Sequence, residues 1–156
     1  SGKLASSAGP PLPSPALRIA LAASRQGLRL VATHAGSSSN PGAVSGWRLA
    51  EADKWSEGTR IPADGSRVTS LAVSPSGRRL VLGERGGEMA VWRIDSNREK
   101  NQALAAAQSG PLLTLRRHAA AITSIRFSND EKHLVSTDAS GKAVFWPTCG
   151  WSPKVG

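Results

Sequence analysis

Tyrosine is absent from this 156-residue chain, phenylalanine occurs twice and cysteine once, at Cys149. A single cysteine excludes an internal disulfide framework. Two Phe and no Tyr leave little with which to stack unpaired bases, which argues against single-strand recognition as the main task. No run of about 18 or more consecutive apolar residues occurs, so no helical span and no membrane insertion is expected. There is no Asn-x-Ser/Thr sequon, Asn40 being followed by Pro41, and nothing points to secretion. Acidic residues are scarce as well: 11 against 20 Lys and Arg give a net charge of +9. Such a balance favours an anionic partner, an acidic protein surface or nucleic acid. The basic residues are nevertheless scattered through the chain, with no block of five like charges.

Chemistry-bearing motifs are missing too. Ser140-Gly141-Lys142-Ala143 lacks the upstream Gly and the following Ser/Thr of a phosphate-binding loop, and no Gly-x-Ser-x-Gly elbow is present. His34, His118, His133 and Cys149 are too widely separated for the close ligand spacing of a zinc site. No catalytic residue, metal or cofactor is therefore expected. Cys149 reads as an incidental terminal thiol.

The first fifty residues carry Lys3, Arg18, Arg25, Arg29 and Arg48 and no acid. Residues 1–15, rich in Ser, Ala and Pro, read as a flexible terminus; an acid-poor leader of this kind also resembles an organellar transit segment. A first residue other than Met is what a processed or truncated start would give. The expected setting is intracellular, cytoplasmic or nuclear, with an organelle as the alternative.

What the sequence does contain is a repeat. Arg67–Ser74 overlies Ala121–Ser128, Gly77–Gly83 overlies Glu131–Thr137, and Gly87–Trp92 overlies Gly141–Trp146, all at an offset of 54 without a gap. A weaker copy lies upstream, where Leu21–Ser24, Gly27 and Leu30-Val31 match Leu71–Ser74, Gly77 and Leu80-Val81 at an offset of 50. Each copy reads as short apolar runs separated by turn residues. Ser74-Pro75-Ser76-Gly77 and Ser128-Asn129-Asp130-Glu131 are corners at which Ser or Asn bonds its own backbone and Gly tolerates positive φ. The runs are almost continuously apolar, as expected of strands covered on both faces.

These residues resemble the WD40 repeat. His118 stands before Ile122 where that family places the His of its Gly-His pair, Ser74–Gly77 is close to the family's first turn, and Trp47, Trp92 and Trp146 take the closing Trp position. The resemblance covers residues 16–148 and implies an all-β fold, a partial β-propeller of about three four-stranded antiparallel blades. The repeats would be 16–66, 67–120 and 121–148, with 149–156 as a tail. Trp is followed by Arg48, Arg93 or Pro147 instead of Asp, Arg117 stands where Gly would precede His118, and Gly86 and Ser140 stand six residues before the Trp. On that count the hydrogen-bonded His/Asp network of the family is expected to be absent.

The spacing of 45 residues between Trp47 and Trp92 fits one blade, whereas 54 between Trp92 and Trp146 requires an insertion, placed at 95–109 as a short helix or a mobile loop. Outer fourth strands are expected at Pro111–Leu115 and around Lys54–Ile61, and doubtful after Trp146. Trp47, Trp92, Trp146 and His118 are assigned structural roles. Trp55 and Trp151, outside the repeat core, are candidate anchors. Arg67, Arg78, Arg79, Arg85, Arg116 and Arg117, at or beside turns, are candidate contacts for acidic side chains or phosphates. The function expected is a non-catalytic scaffold for protein–protein contacts, in which other chains complete or cap the propeller. The alternative is a subunit of a ribonucleoprotein assembly touching RNA backbone through its arginines.

Overall fold

A computed structural model describes residues 16–24, 27–34, 43–49, 55–61, 63–65, 67–94 and 110–151. Three antiparallel sheets follow one another along the chain. The first contains β1 (Ala16–Ser24), β2 (Gly27–His34), β3 (Ala43–Leu49) and β4 (Trp55–Ile61). The second contains β5 (Val68–Val73), β6 (Arg79–Glu84), β7 (Glu88–Arg93) and β8 (Leu113–Arg116). The third contains β9 (Ile122–Phe127), β10 (His133–Asp138) and β11 (Ala143–Pro147), three strands among the described residues. In each sheet the strands pair in sequence order, and β5 packs against both β1 and β9, so the first strand of every sheet lines the same side of the stack. This is the all-β blade architecture the repeats imply, including outer strands at β4 and β8. The proposed helix in the insertion falls at 95–109, outside the described residues.

Continuous apolar runs are explained by burial on both faces of the middle sheet. On β6, Leu80 and Leu82 turn towards the first sheet, where they pack with Val31, Val44, Ile61, Leu71 and Trp92. The intervening Val81 turns the other way and joins Met89, Val91, Ile122, Ile125, Leu134 and Trp146. Fully burying an aliphatic side chain of this size contributes about 1.5–3 kcal/mol, so these two interblade layers are the main source of cohesion. The second border is tight. A Cβ built on Gly83 would lie 2.6 Å from Ile122 Cγ2 and 2.9 Å from Ile125 Cδ1, so the absent side chain lets β6 and β9 approach.

Register corrects one detail of the repeat. Leu30, Leu80 and Leu134 face Trp47, Trp92 and Trp146 respectively and mark equivalent levels. At that level β1 presents Leu21, β5 presents Val73 and β9 presents Phe127; two residues earlier stand Ile19, Leu71 and Ile125. Leu21 is therefore the counterpart of Val73, not of Leu71. Between these equivalent positions the first copy has two residues more, Leu21 pairing with Leu30 but Val73 with Leu80, because the β1–β2 hairpin runs on to Ser24 opposite Gly27, and a gapless overlay misses this insertion.

Candidate functional site: the ends and flanks of the blade stack

The stack has two ends. At the upper end β1, β5 and β9 begin; at the lower end they finish. Connections alternate between the two, so residues close in sequence are sent to opposite ends.

At the upper end the connection that leads into the third sheet is tied to that sheet by a buried polar network. His118, in the connection between β8 and β9, places Nδ1 2.7 Å from Asp138 Oδ2, and the two side chains are 0% and 1% exposed. The carboxylate can only accept, so Nδ1–H donates. Nε2 then accepts from the Ser136 hydroxyl at 2.7 Å, and that hydroxyl oxygen in turn accepts from Trp146 Nε1–H at 2.8 Å. Asp138 Oδ1 accepts from the Ser140 hydroxyl and from the Ser140 and Lys142 amides. The Ser140 hydrogen bond, followed by that of His118 and the two amides, lowers the Asp138 pKa to about 2 against the opposing effect of burial.

This network overturns the expectation that a His/Asp arrangement is absent. The carboxylate stands eight residues before Trp146, not six: β10 ends on Asp138, before the turn through Ser140 and Gly141. In the second blade the equivalent positions carry Leu82 and Glu84, and Trp92 Nε1 is buried with no hydrogen-bond partner. The comparison isolates what Ser136 contributes.

The candidate arginines divide between the ends. Arg67, Arg85, Arg116 and Arg117 lie at the upper end, where acids on the same sheet engage two of them: Arg67 meets Glu84 at 3.4 Å and Arg116 meets Glu88 at 2.8 Å. Arg85 and Arg117 are exposed there. Arg78 and Arg79 lie at the lower end, Arg78 exposed and Arg79 half-buried, opposite Arg93 across β6–β7. The six therefore do not form one patch. Trp55 begins β4 opposite Leu49, and its side chain lies outside the described residues. Trp47, Trp92 and Trp146 are buried in the blades. Trp151 is buried too, within the border between the second and third sheets, so it serves as a packing residue and not an exposed anchor. Cys149 is exposed. Among the described residues no cluster of three His, Cys, Asp or Glu could hold a metal, and no helix is long and apolar enough to cross a membrane.

The flanks were missed as named residues. Ile19 and Leu21 on β1 are 56% and 60% exposed, and Phe145 on β11 is 73% exposed. Their register partners inside the stack are covered: Leu71 is 6% and Ile125 0% exposed at the level of Ile19, and Val91 is 0% exposed at the level of Phe145.

Comparison with known proteins agrees with this geometry. The family model described as WD domain, G-beta repeat, matches residues 109–147, the span that holds β8 to β11 and the His118 network. Actin-interacting protein 1-2 of Arabidopsis thaliana is 33% identical over 79 residues, covering 51% of this chain and 11% of that protein. The protein LST8 homolog of Drosophila melanogaster is 26% identical over 92 residues, covering 59% of this chain and 28% of that protein. SIR4-interacting protein SIF2 of Saccharomyces cerevisiae is 29% identical over 82 residues, covering 52% and 13%. The chain thus spans well under a third of the length of each. Among solved structures, the C-terminal WD40 domain of Sif2 superposes with a TM-score of 0.54 at 20% identity, covering 84% of this chain and 34% of that one, and this shows the fold. With one matched G-beta repeat over residues 109–147 and three consecutive sheets of blade topology, the chain has a WD40-like fold and resembles WD40-repeat proteins.

Proposed function

We propose that the chain is a non-catalytic scaffold whose two open flanks are covered by neighbouring macromolecules in a larger assembly. One observation carries this reading: Ile19 and Phe145 are exposed at the very register positions that are buried where one blade meets the next, and Leu21 is exposed where its counterparts Val73 and Phe127 are half-buried. An exposed sheet face of this kind promotes association. The covering neighbour would be protein that completes or caps the propeller. Two of the similar proteins are named for a protein that they contact, actin in one case and SIR4 in the other, which supports a contact role. An intracellular setting, cytoplasmic or nuclear, goes with this reading. Rigid blades hold the end loops in place, and affinity comes from a few anchors within a larger complementary surface.

The test is the solution behaviour of the isolated chain. Concentration-dependent association should appear in light scattering, and Ile19→Asp combined with Phe145→Asp should abolish it while the β-sheet circular dichroism is retained. A wild-type chain that stays monomeric at all concentrations and binds no hydrophobic dye would sink the proposal.

A further inference from the structure

The first two sheets are each closed on the outside by a further strand, β4 against β3 and β8 against β7, whereas among the described residues no strand lies beyond β11 in the third. The covered edge of the second sheet shows what such a strand supplies. Val91 turns its carbonyl away from β6 and accepts from the Leu112 amide, and Leu113 and Leu115 stand opposite Val91 and Met89. Thr114, between them, is exposed, and Arg116 stands opposite Glu88, which it meets at 2.8 Å. The outer strand thus reads apolar, polar, apolar, basic. β11 presents the same edge without the cover. The Lys142 carbonyl accepts from the Asp138 amide, so Lys142 and, by alternation, Val144 and Trp146 bond towards β10, while the backbone groups of Ala143 and Phe145 point away from it. Ala143 and Phe145 are the register counterparts of Met89 and Val91 and are exposed where those two are buried. Beyond β11, Thr148 continues the ladder with Lys132, and Trp151 is buried in the border between the second and third sheets, so the described chain does not return along this edge.

One position differs in charge. Where the second sheet has Glu88, the third has Lys142, which is exposed. Its ammonium group donates to the Arg117 carbonyl, a neutral acceptor, and the Asp138 carboxylate takes the Lys142 amide, not the ammonium. We infer that the outer edge of β11 accepts an extended segment of a partner protein as the outer strand of the third sheet, antiparallel to β11, with apolar residues opposite Phe145 and Ala143, a polar residue opposite Val144 and an acid opposite Lys142. Unpaired amides and carbonyls along a short apolar strand are a template for such pairing. Main-chain hydrogen bonds hold the added strand, and the alternate side chains select it. Apolar and opposite-charge cross-strand pairs favour this order of residues, whereas a basic residue in the last place, as Arg116 is in β8, would set like charges against each other. The inference goes beyond the covering of the flanks, because it concerns the hydrogen-bonding edge of a sheet and not its apolar face.

The test is a fluorescence titration of the whole chain, kept dilute, with two labelled peptides: one with the sequence of residues 110–117, which contains β8, and the same peptide carrying Arg116→Glu. The Arg116→Glu peptide should bind about threefold or more tightly than the other, the difference expected when an exposed like-charge pair becomes an opposite one. Lys142→Glu in the chain should reverse the preference. Ala143→Pro removes an amide that points away from β10 and leaves the β10–β11 ladder in place; it should weaken both peptides by about tenfold or more. Thermal melts establish that the variants are folded. Failure of the wild type to bind either peptide would overturn the assignment, as would a preference that Lys142→Glu leaves unchanged or binding that survives Ala143→Pro. Self-association abolished by Ala143→Pro, with no peptide bound, would give the edge to a second copy and overturn it also. Ile19→Asp lies on β1 and should leave peptide binding unchanged, so this inference and the covering of the flanks fail separately.

Discussion

His118 Nδ1 and Asp138 Oδ2 are 2.7 Å apart across a sequence separation of 20 residues, with both side chains shut off from solvent. The carboxylate closes the turn through Ser140 on one side and fixes the imidazole on the other. One acid therefore organises both the end of β10 and the connection that leads into β9.

The depressed pKa of Asp138 makes this network acid-sensitive. A carboxylate whose folded pKa is about 2, below the ordinary value of 3.8, adds stability that is fully present above the ordinary value and is lost as pH falls towards the folded one. Denaturant midpoints measured between neutral pH and pH 2 should show this acid limb. Asp138→Asn should be less stable at neutral pH and show a shallower limb, because its side chain no longer titrates. An unchanged limb would assign the acid sensitivity to other carboxylates.

Ser136 is the hub between ring and indole. Ser136→Ala leaves Trp146 Nε1 and His118 Nε2 buried without partners and should cost about 1–3 kcal/mol in urea unfolding. Trp92 already lives with an unpartnered Nε1 in the second blade, so the fold should survive the loss. A cost below about 0.5 kcal/mol would mean that water replaces the hydroxyl.

Gly83 sets the distance between the second and third sheets. Gly83→Ala forces Ile122 and Ile125 to give way and should destabilise by about 1–3 kcal/mol. Ile125→Val, which removes the Cδ1 methyl that would lie 2.9 Å from the new Cβ, should recover part of that loss in the double variant. Additive losses would place the strain elsewhere.

Glu131 combines a clasp with backbone strain. Its carboxylate accepts from Ser76 of the neighbouring blade, and it is the one non-glycine residue described with a positive φ, 57°. Glu131→Ala loses the clasp and keeps the strain, whereas Glu131→Gly loses the clasp and relieves it. The Gly variant should be the more stable of the two by about 1 kcal/mol in chemical denaturation. Equal stabilities would show that the left-handed conformation carries no cost here.

Sequence alone determined the blades: an offset of 54 without gaps, turn residues such as Ser74–Gly77 with Gly77 at a φ of 70°, and a Trp closing each copy all depend on interactions within a few residues, which local spacing records. It also implied greasy flanks, because strands with apolar residues on both faces need a neighbour on each side. Tertiary structure alone decided three things. His118 and Asp138 meet because β9 and β10 bring separated segments together, and counting back from Trp146 could not find a partner set by strand length and turn. The two-residue lengthening of the β1–β2 hairpin changed which residue stands at each flank position, making Ile19 the counterpart of Leu71. Arginines scattered evenly along the chain were sorted to two ends, since each antiparallel reversal sends consecutive turns in opposite directions, and cross-strand register then gave one end acids opposite its arginines and the other end arginines opposite arginines.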